Sequence, residues 1–243
     1  MKLWNFAWGP YPRRLTLYLR EKPLPIECHE VEFPHRPELW PPGFLRSLNP
    51  AHSLPVLETD TGQRIGQSLA ILEYLEECFP SPSLLGASPE ARARCRELLA
   101  VFDEAASYFG LWARQGSRVN AGRHVSNPEA AAFGAERYFA KLQVAEQLVE
   151  GGPYLCGASV TTADVVAMAL MEFTSEFYGV PMPDSCPRLA AWYEAMSERP
   201  TVDLPPYPKE MLELANGLPE QSGFQEGARR WSHGALCALS LMR

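Results

Sequence analysis

No cysteine pair in this chain is spaced for redox or metal work. The six cysteines stand at 28, 78, 95, 156, 186 and 237. None forms a CxxC, which excludes a sequence-adjacent dithiol and a zinc knuckle. The expectation is mostly buried, reduced thiols. The histidines at 29, 35, 52, 124 and 233 make no HExxH pattern, so no metal is expected. Long apolar runs are missing too. No stretch of about 18 apolar residues could cross a bilayer, and Lys2 is followed by a strand-like segment rather than the apolar core of a leader peptide. No membrane partner and a cytoplasmic location are the expectation. Positive charge is scarce: 22 Lys and Arg against 29 Asp and Glu give a net charge of -7 and a pI near 5.3. That argues against a general nucleic-acid binder, which needs a basic face. No repeat or low-complexity tract is present.

What remains is a chain of 243 residues with 46% hydrophobic content, enough for one large domain or two ordinary ones. The first eighty residues read as mixed α/β. Lys2–Trp8 is strand-like, and Leu15, Leu17, Tyr18 and Leu19 give a short helix ending near Lys22-Pro23. Pro25–Phe33 resembles a half-buried strand. "PHRPELWPPGFLRSLNP" reads as a loop with one or two helical turns. "LPVLETDTGQRIG" reads as a hairpin around Thr61-Gly62, and Ser68–Phe79 as a helix with Ser68 as N-cap. "PSPSLLGASP" is a linker by composition. Helices are then expected over Pro89 to about Gln115, Pro128–Glu150, Thr161–Glu176 and Pro187–Arg199. Thr161 and Asp164 have capping-box spacing. From Thr201 the chain is proline-broken, and "GARRWSHGALCALSLMR" reads as a final outer helix or a partly disordered tail.

Residues 8 to 19, "WGPYPRRLTLYL", raise the functional question. A strand turning sharply into a helix offers unpaired amides and a positive dipole end to an anion. Yet the turn has no Ser, Thr or Cys to do chemistry. Further on, Pro55 opens a short apolar strand. By spacing alone it is either a cis proline that turns the backbone outward as a dock or an ordinary trans proline at a strand entry.

"NPAHSLPVLETDTGQRIGQSLAILEYLEE" (Asn49–Glu77) resembles the glutathione-binding core of the cytosolic glutathione S-transferases. Gln67-Ser68-Leu69-Ala70-Ile71 fits the opening of that family's third helix. "GASVTTADVVAM" is similar to its second-domain signature, and "MKLWNFAWGPYPRRLTLYLREK" to its first strand and helix. The resemblance covers residues 1 to about 200. It implies an α/β thioredoxin-like glutathione-binding domain over 1–80, a linker over 81–88, and an all-helical substrate domain with a C-terminal extension over 89–243.

Glutathione is implied as cosubstrate. Ser68 is implied at the γ-glutamyl carboxylate, Gln67 at the γ-glutamyl amine, and Leu54 before Pro55 at the cysteinyl backbone. His52 either approaches the glycyl carboxylate or is a solvated loop histidine. The position at which bacterial members carry Ser, Thr or Cys falls on Gly9, which has no side chain to steady a thiolate. The remaining candidates are the Tyr11 phenol, backbone amides alone (with Pro10 and Pro12 lacking N–H, that of Tyr11), and the charge of Arg13 or Arg14 folded back, taken in the order Tyr11, backbone, Arg13. Trp8, Tyr108, Trp112 and Arg114, with Phe177 as a further member, are implied as the pocket for an apolar or aromatic electrophile. The implied activity is conjugation of the glutathione thiolate to that electrophile in a homodimeric detoxification enzyme. The alternatives are a glutathione-dependent disulfide reductase, isomerase or lyase, and a non-catalytic binding protein or scaffold of the same fold.

Overall fold

The computed structural model describes residues 1–31, 43–122 and 124–224. Four short strands and nine α-helices are present among them. Strand β1 (Lys2–Asn5) leads into helix α1 (Pro10–Glu21). Then come β2 (Glu27–Glu30), α2 (Phe44–Leu48), β3 (Val56–Glu58), β4 (Arg64–Gly66) and α3 (Ser68–Cys78). The strands form one sheet in the order β2-β1-β3-β4, with β1 parallel to β2 and antiparallel to β3. Strands β3 and β4 make the expected hairpin. Leu54-Pro55 is cis. This is the thioredoxin-like plan.

The rest is helical: α4 (Pro89–Gly116), α5 (Pro128–Leu148), α6 (Thr162–Glu172), α7 (Pro187–Ser197), α8 (Lys209–Ala215) and α9 (Leu218–Ser222). Helix α4 opens with Ser88 accepting from the Ala91 amide, and α5 with Asn127 accepting from that of Ala130. Both have proline in their first turn. Helix α6 is buried on every face, as the central helix of a bundle must be. Asp164 accepts from both the amide and the hydroxyl of Thr161, at 2.8 Å each, completing the cap.

Several boundaries depart from the sequence reading: β2 is shorter at its start, and α5 and α7 each end two residues early. Three departures bear on the site and the core. Strand β1 ends at Asn5 rather than Trp8, because Gly9 N–H turns back to the Phe6 carbonyl. Ser68 is the first residue of α3, and Gln67, at φ 70° and ψ 112°, is its N-cap. Helix α6 stops at Glu172 and passes into one π-helical turn, Phe173–Phe177, where the Thr174 and Ser175 hydroxyls donate to the Met171 carbonyl. The thiols differ as well: Cys95 and Cys186 are buried, Cys156 is half-buried, and Cys28 and Cys78 are exposed. The expected outer helix beyond residue 224, with His233 and Cys237, and the loop around His35 lie outside the described residues.

Charged groups lock the α/β half to the helical half. Glu76 on α3 accepts from Tyr18 of α1, from Lys22 just past the end of that helix and from the Leu84 amide of the connecting segment, at 2.7, 2.8 and 2.9 Å. Arg199 forks onto Glu21 at the end of α1 at 3.0 and 2.6 Å. Helix α1 packs against α6, so even Arg13 and Arg14 of its three arginines are buried, while Arg20 is exposed. Each of the buried two must therefore find partners.

Candidate functional site

A cavity of about 260 Å³ opens where the β1–α1 turn meets the loop before β3. Its lining includes Phe6, Gly9, Tyr11, His52 and Leu54, so the expected residues Gly9, Tyr11, His52 and Leu54 come together. Pro55 follows Leu54 and is buried at the start of β3. His52 is exposed and held at φ 52°.

The turn into α1 explains its bare glycine. A Cβ added at Gly9 would lie 2.9 Å from Pro12 Cδ, 3.1 Å from Pro12 Cγ and 3.2 Å from the Phe6 ring. The first of these is closer than real Cβ atoms come, and the other two are tighter than most. The obstacles are a proline ring held in the first helical turn and a packed aromatic, so neither yields cheaply. Gly9 backbone lies in the ordinary extended region (φ -83°, ψ 140°), so the glycine is needed for space and not for conformation. Of the first amides of α1, Pro10 and Pro12 have none, and that of Arg13 bonds the Gly9 carbonyl at 2.9 Å. The Tyr11 amide is the local donor left to the cavity end.

The mouth of α3 is the opposite in character. Ser68 is buried, and its hydroxyl accepts a 3.1 Å hydrogen bond from Arg14 Nη1. The same nitrogen bonds Asp103 of α4 at 2.6 Å. Arg14 is 1% exposed, and its Nε and Nη2 have no partner among the described residues. Two donor nitrogens of a buried cation are thus unspent beside a helix N-terminus, which is the donor set a carboxylate needs. The Arg14 guanidinium also lies 4.6 Å over the Tyr11 ring. Tyr11 therefore connects the cavity to the α3 mouth. Gln67, the N-cap of α3, is exposed beside Ser68. Arg14 as the principal cation, and Asp103 as its anchor, were not singled out from the sequence. The sequence offered little signal, since two adjacent arginines on a helix can both face solvent.

Several expected residues lie elsewhere. Arg13 does not face the cavity. Its Nε donates to the Ala7 carbonyl at 2.9 Å, Nη1 pairs with Glu172 at 3.1 Å, Nη2 donates to the Pro205 carbonyl at 2.7 Å, and Tyr207 lies 4.0 Å below it. All of its branches are committed, so it has nothing left to offer a thiolate. Burial raises Glu172 to about 7, with Arg13 opposing that rise and Glu176 adding to it.

Trp112 is fully buried among Phe109, Tyr138, Phe139 and Phe224, and its Nε1 donates to Ser222 at 2.9 Å. It has no exposed face for a substrate. Tyr108 packs edge-on against Phe133, with Arg137 over both rings, on the α4–α5 face. Arg114 is exposed near the end of α4, and Phe177 is buried against Phe173, Tyr178 and Tyr207. Trp8 is half-buried with its ring edge-on to Phe6. Asp103 marks the face of α4 that meets α1. The residues four and seven positions on, Ser107 and Gly110, are exposed and small. The expected aromatic pair is thus on other faces of that helix.

Residues 8–78 match the family described as Glutathione S-transferase, N-terminal domain, and residues 123–203 match Glutathione S-transferase, C-terminal domain. The chain belongs to the glutathione S-transferase family. It is 33% identical over 209 residues to FtsZ-localized protein A of Caulobacter vibrioides, covering 82% of this chain and 87% of that one. It is 29% identical over 229 residues to Glutathione S-transferase 2 of Saccharomyces cerevisiae, covering 88% and 90%. A glutathione S-transferase of Methylobacterium radiotolerans, solved in complex with glutathione sulfonate, superposes with a TM-score of 0.69 at 26% identity, covering 86% of this chain and 95% of that one.

Proposed function

We propose that the chain is a glutathione-dependent enzyme that binds the γ-glutamyl end of glutathione at the α3 mouth and its sulfur end in the Gly9–Tyr11 cavity. The observation that supports this most is the buried Arg14, with Nε and Nη2 unpartnered beside Ser68 at the start of α3. In this reading Arg14 and the Ser68 hydroxyl and amide take the γ-glutamyl carboxylate. Gln67 takes the amine. The Leu54 backbone before Pro55 pairs with the cysteinyl unit, and His52 stands near the glycyl carboxylate.

The Tyr11 amide and phenol stabilise the thiolate in place of the missing hydroxyl at position 9. The thiol proton leaves to solvent. The sulfur then forms a bond to an electrophilic carbon of an apolar substrate, whose leaving group departs with its electron pair. We place the protein among transferases that act as homodimers in the cytoplasm.

A second reading is favoured by the same turn. Because Gly9 has no side chain to steady a thiolate and a Cβ there would crowd Pro12 and Phe6, the protein holds glutathione without conjugating it, or uses it in isomerisation or disulfide exchange. One titration separates reaction at the sulfur from holding alone. The bound thiol is followed by thiolate absorbance as pH is raised, against a no-protein control. A pKa clearly below the ordinary value supports use of the thiolate, whether in conjugation, isomerisation or disulfide exchange, whereas binding with an unchanged pKa supports holding without reaction. Ser68→Ala with Gln67→Ala is expected to weaken glutathione binding at least tenfold with the fold intact. Unchanged affinity would refute the site.

A further inference from the structure

One buried side chain ties the β1–α1 turn to the far end of the helical half. Arg13 closes that turn twice. Its amide donates to the Gly9 carbonyl at 2.9 Å, and its Nε donates to the Ala7 carbonyl, also at 2.9 Å. Within the turn, the Gly9 amide reaches the Phe6 carbonyl only at a long 3.4 Å. A charged donor bonds more strongly than a neutral one, so Arg13 grips the turn from behind more firmly than that bond does. Phe6 and Gly9 both line the cavity, and Tyr11 follows them.

The rest of the guanidinium is held by groups far along the chain. Nη1 donates to Glu172, the last residue of α6, at 3.1 Å, and Nη2 donates to the Pro205 carbonyl at 2.7 Å. The Tyr207 ring lies 4.0 Å from it. The Arg13 and Glu172 side chains are only 2% and 6% exposed. Pro205 and Tyr207 belong to a segment that runs antiparallel along α1. Arg199 and Thr201 bond Glu21, the Asp203 carbonyl accepts from Arg20, and the Pro205 carbonyl accepts from Arg13. Arg13 and Arg20 are seven residues apart, two turns along one helical face.

Charge balance alone does not ask for this arrangement. Glu172 would satisfy the cation, yet Nε, Nη1 and Nη2 each go to a different part of the chain. A planar fork spent in three directions fixes position as well as charge. The Tyr207 hydroxyl is buried with no partner among the described residues, so what that residue supplies is its ring face.

We propose that Arg13 is a positioning residue for the sulfur end of the site. Through the Ala7 carbonyl it fixes the turn that carries Gly9 and presents the Tyr11 amide, and Glu172, Pro205 and Tyr207 fix Arg13 in turn. This role rests on the reading that places the glutathione sulfur in that cavity. It makes the environment of the thiol depend on residues of the helical half that do not line the cavity.

The test measures, on the full chain, the pKa of the bound glutathione thiol by thiolate absorbance. Glutathione affinity is read by calorimetric titration at a pH where the bound sulfur is protonated, so that the two quantities are independent. Arg13→Lys keeps the charge but has one head for three acceptors. It is expected to raise the bound thiol pKa by about one unit, roughly tenfold less thiolate below that pKa. Affinity should stay within about twofold, because the α3 mouth is untouched. Tyr207→Leu removes the ring without removing a charge and serves if Arg13→Lys does not fold. It is expected to raise the pKa by about half a unit, and Tyr207→Phe, which keeps the ring, to restore the wild-type value. A wild-type pKa left in place by both Arg13→Lys and Tyr207→Leu would overturn the role of Arg13 and leave the glutathione reading standing. Parallel loss of affinity and of activation would also overturn it, as general damage to the site. So would wild-type binding without a lowered pKa, since no activation is then present to position. A wild-type chain that binds no glutathione would overturn the glutathione reading and this role with it.

Discussion

Two helix mouths stand on either side of Tyr11, and they are built on opposite principles. That of α1 is stripped. Two prolines remove two of its amides, and Gly9 has no side chain and little room for one. That of α3 is loaded, with a buried hydroxyl, an N-cap at positive φ and a buried guanidinium holding two unspent donors. The difference teaches that recognition and activation are separable. A site can keep the apparatus that grips an anion while its other end offers little beyond one amide and one phenol. Similarity of fold therefore speaks more strongly for the gripping end than for the chemistry at the sulfur.

The sharpest way to break this contrast is Arg14→Met, which removes the cation at similar length. Glutathione affinity is expected to fall about 100-fold, the cost of losing a buried charge-assisted pair, roughly 2–3 kcal/mol. Calorimetric titration reads it, and undiminished binding by a folded variant would leave Arg14 purely structural. Gly9→Ser tests the stripped mouth from the other side. The added side chain is expected to cost about 1–3 kcal/mol of stability through overpacking, visible as a lower denaturant midpoint with unchanged slope. Pro12→Ala in the same chain is expected to recover part of that loss.

A third test concerns the bolt beside the stripped mouth. Glu172 is raised from 4.5 to about 7, mainly by burial. The folded state therefore favours its protonated form. That contribution is complete below pH 4.5 and is lost as pH rises through about 7. Stability curves of the wild-type protein and Glu172→Gln should differ in slope within that window and run parallel above it. The smallest expected effect is that of Tyr11→Phe. The bound thiol pKa should rise by less than about one unit, because the Tyr11 amide stays in place.

Much of this architecture was legible in the sequence, for identifiable reasons. Strong local chemistry marked the hairpin around Thr61-Gly62, the starts of α4, α5 and α7 at proline, and the Thr161–Asp164 cap. The glutathione S-transferase resemblance rested on contiguous motifs, and the family and fold agree with it. Side-chain direction was less legible. Helical spacing put Tyr108, Trp112 and Arg114 on one helix, but only the Arg14–Asp103 pair shows which face of α4 meets α1. Trp112 was indistinguishable from a pocket aromatic until Ser222 and Phe224 were seen covering it. Arg13 and Arg14 are neighbours in sequence, yet rotation by one helical step sends them to different partners, Glu172 and Ser68. Ser68 and Gln67 exchanged the capping role because the backbone turns at Gln67, with φ 70°.

The closeness of Gly9 to Pro12 and Phe6 also makes distant-looking positions dependent on one another. A hydroxyl or thiol placed at position 9 meets its cost in packing rather than in backbone conformation, since φ and ψ there suit any residue. What that cost amounts to is set by the residue at 12 as much as by the residue at 9, so the two positions are energetically coupled and their substitutions should not add.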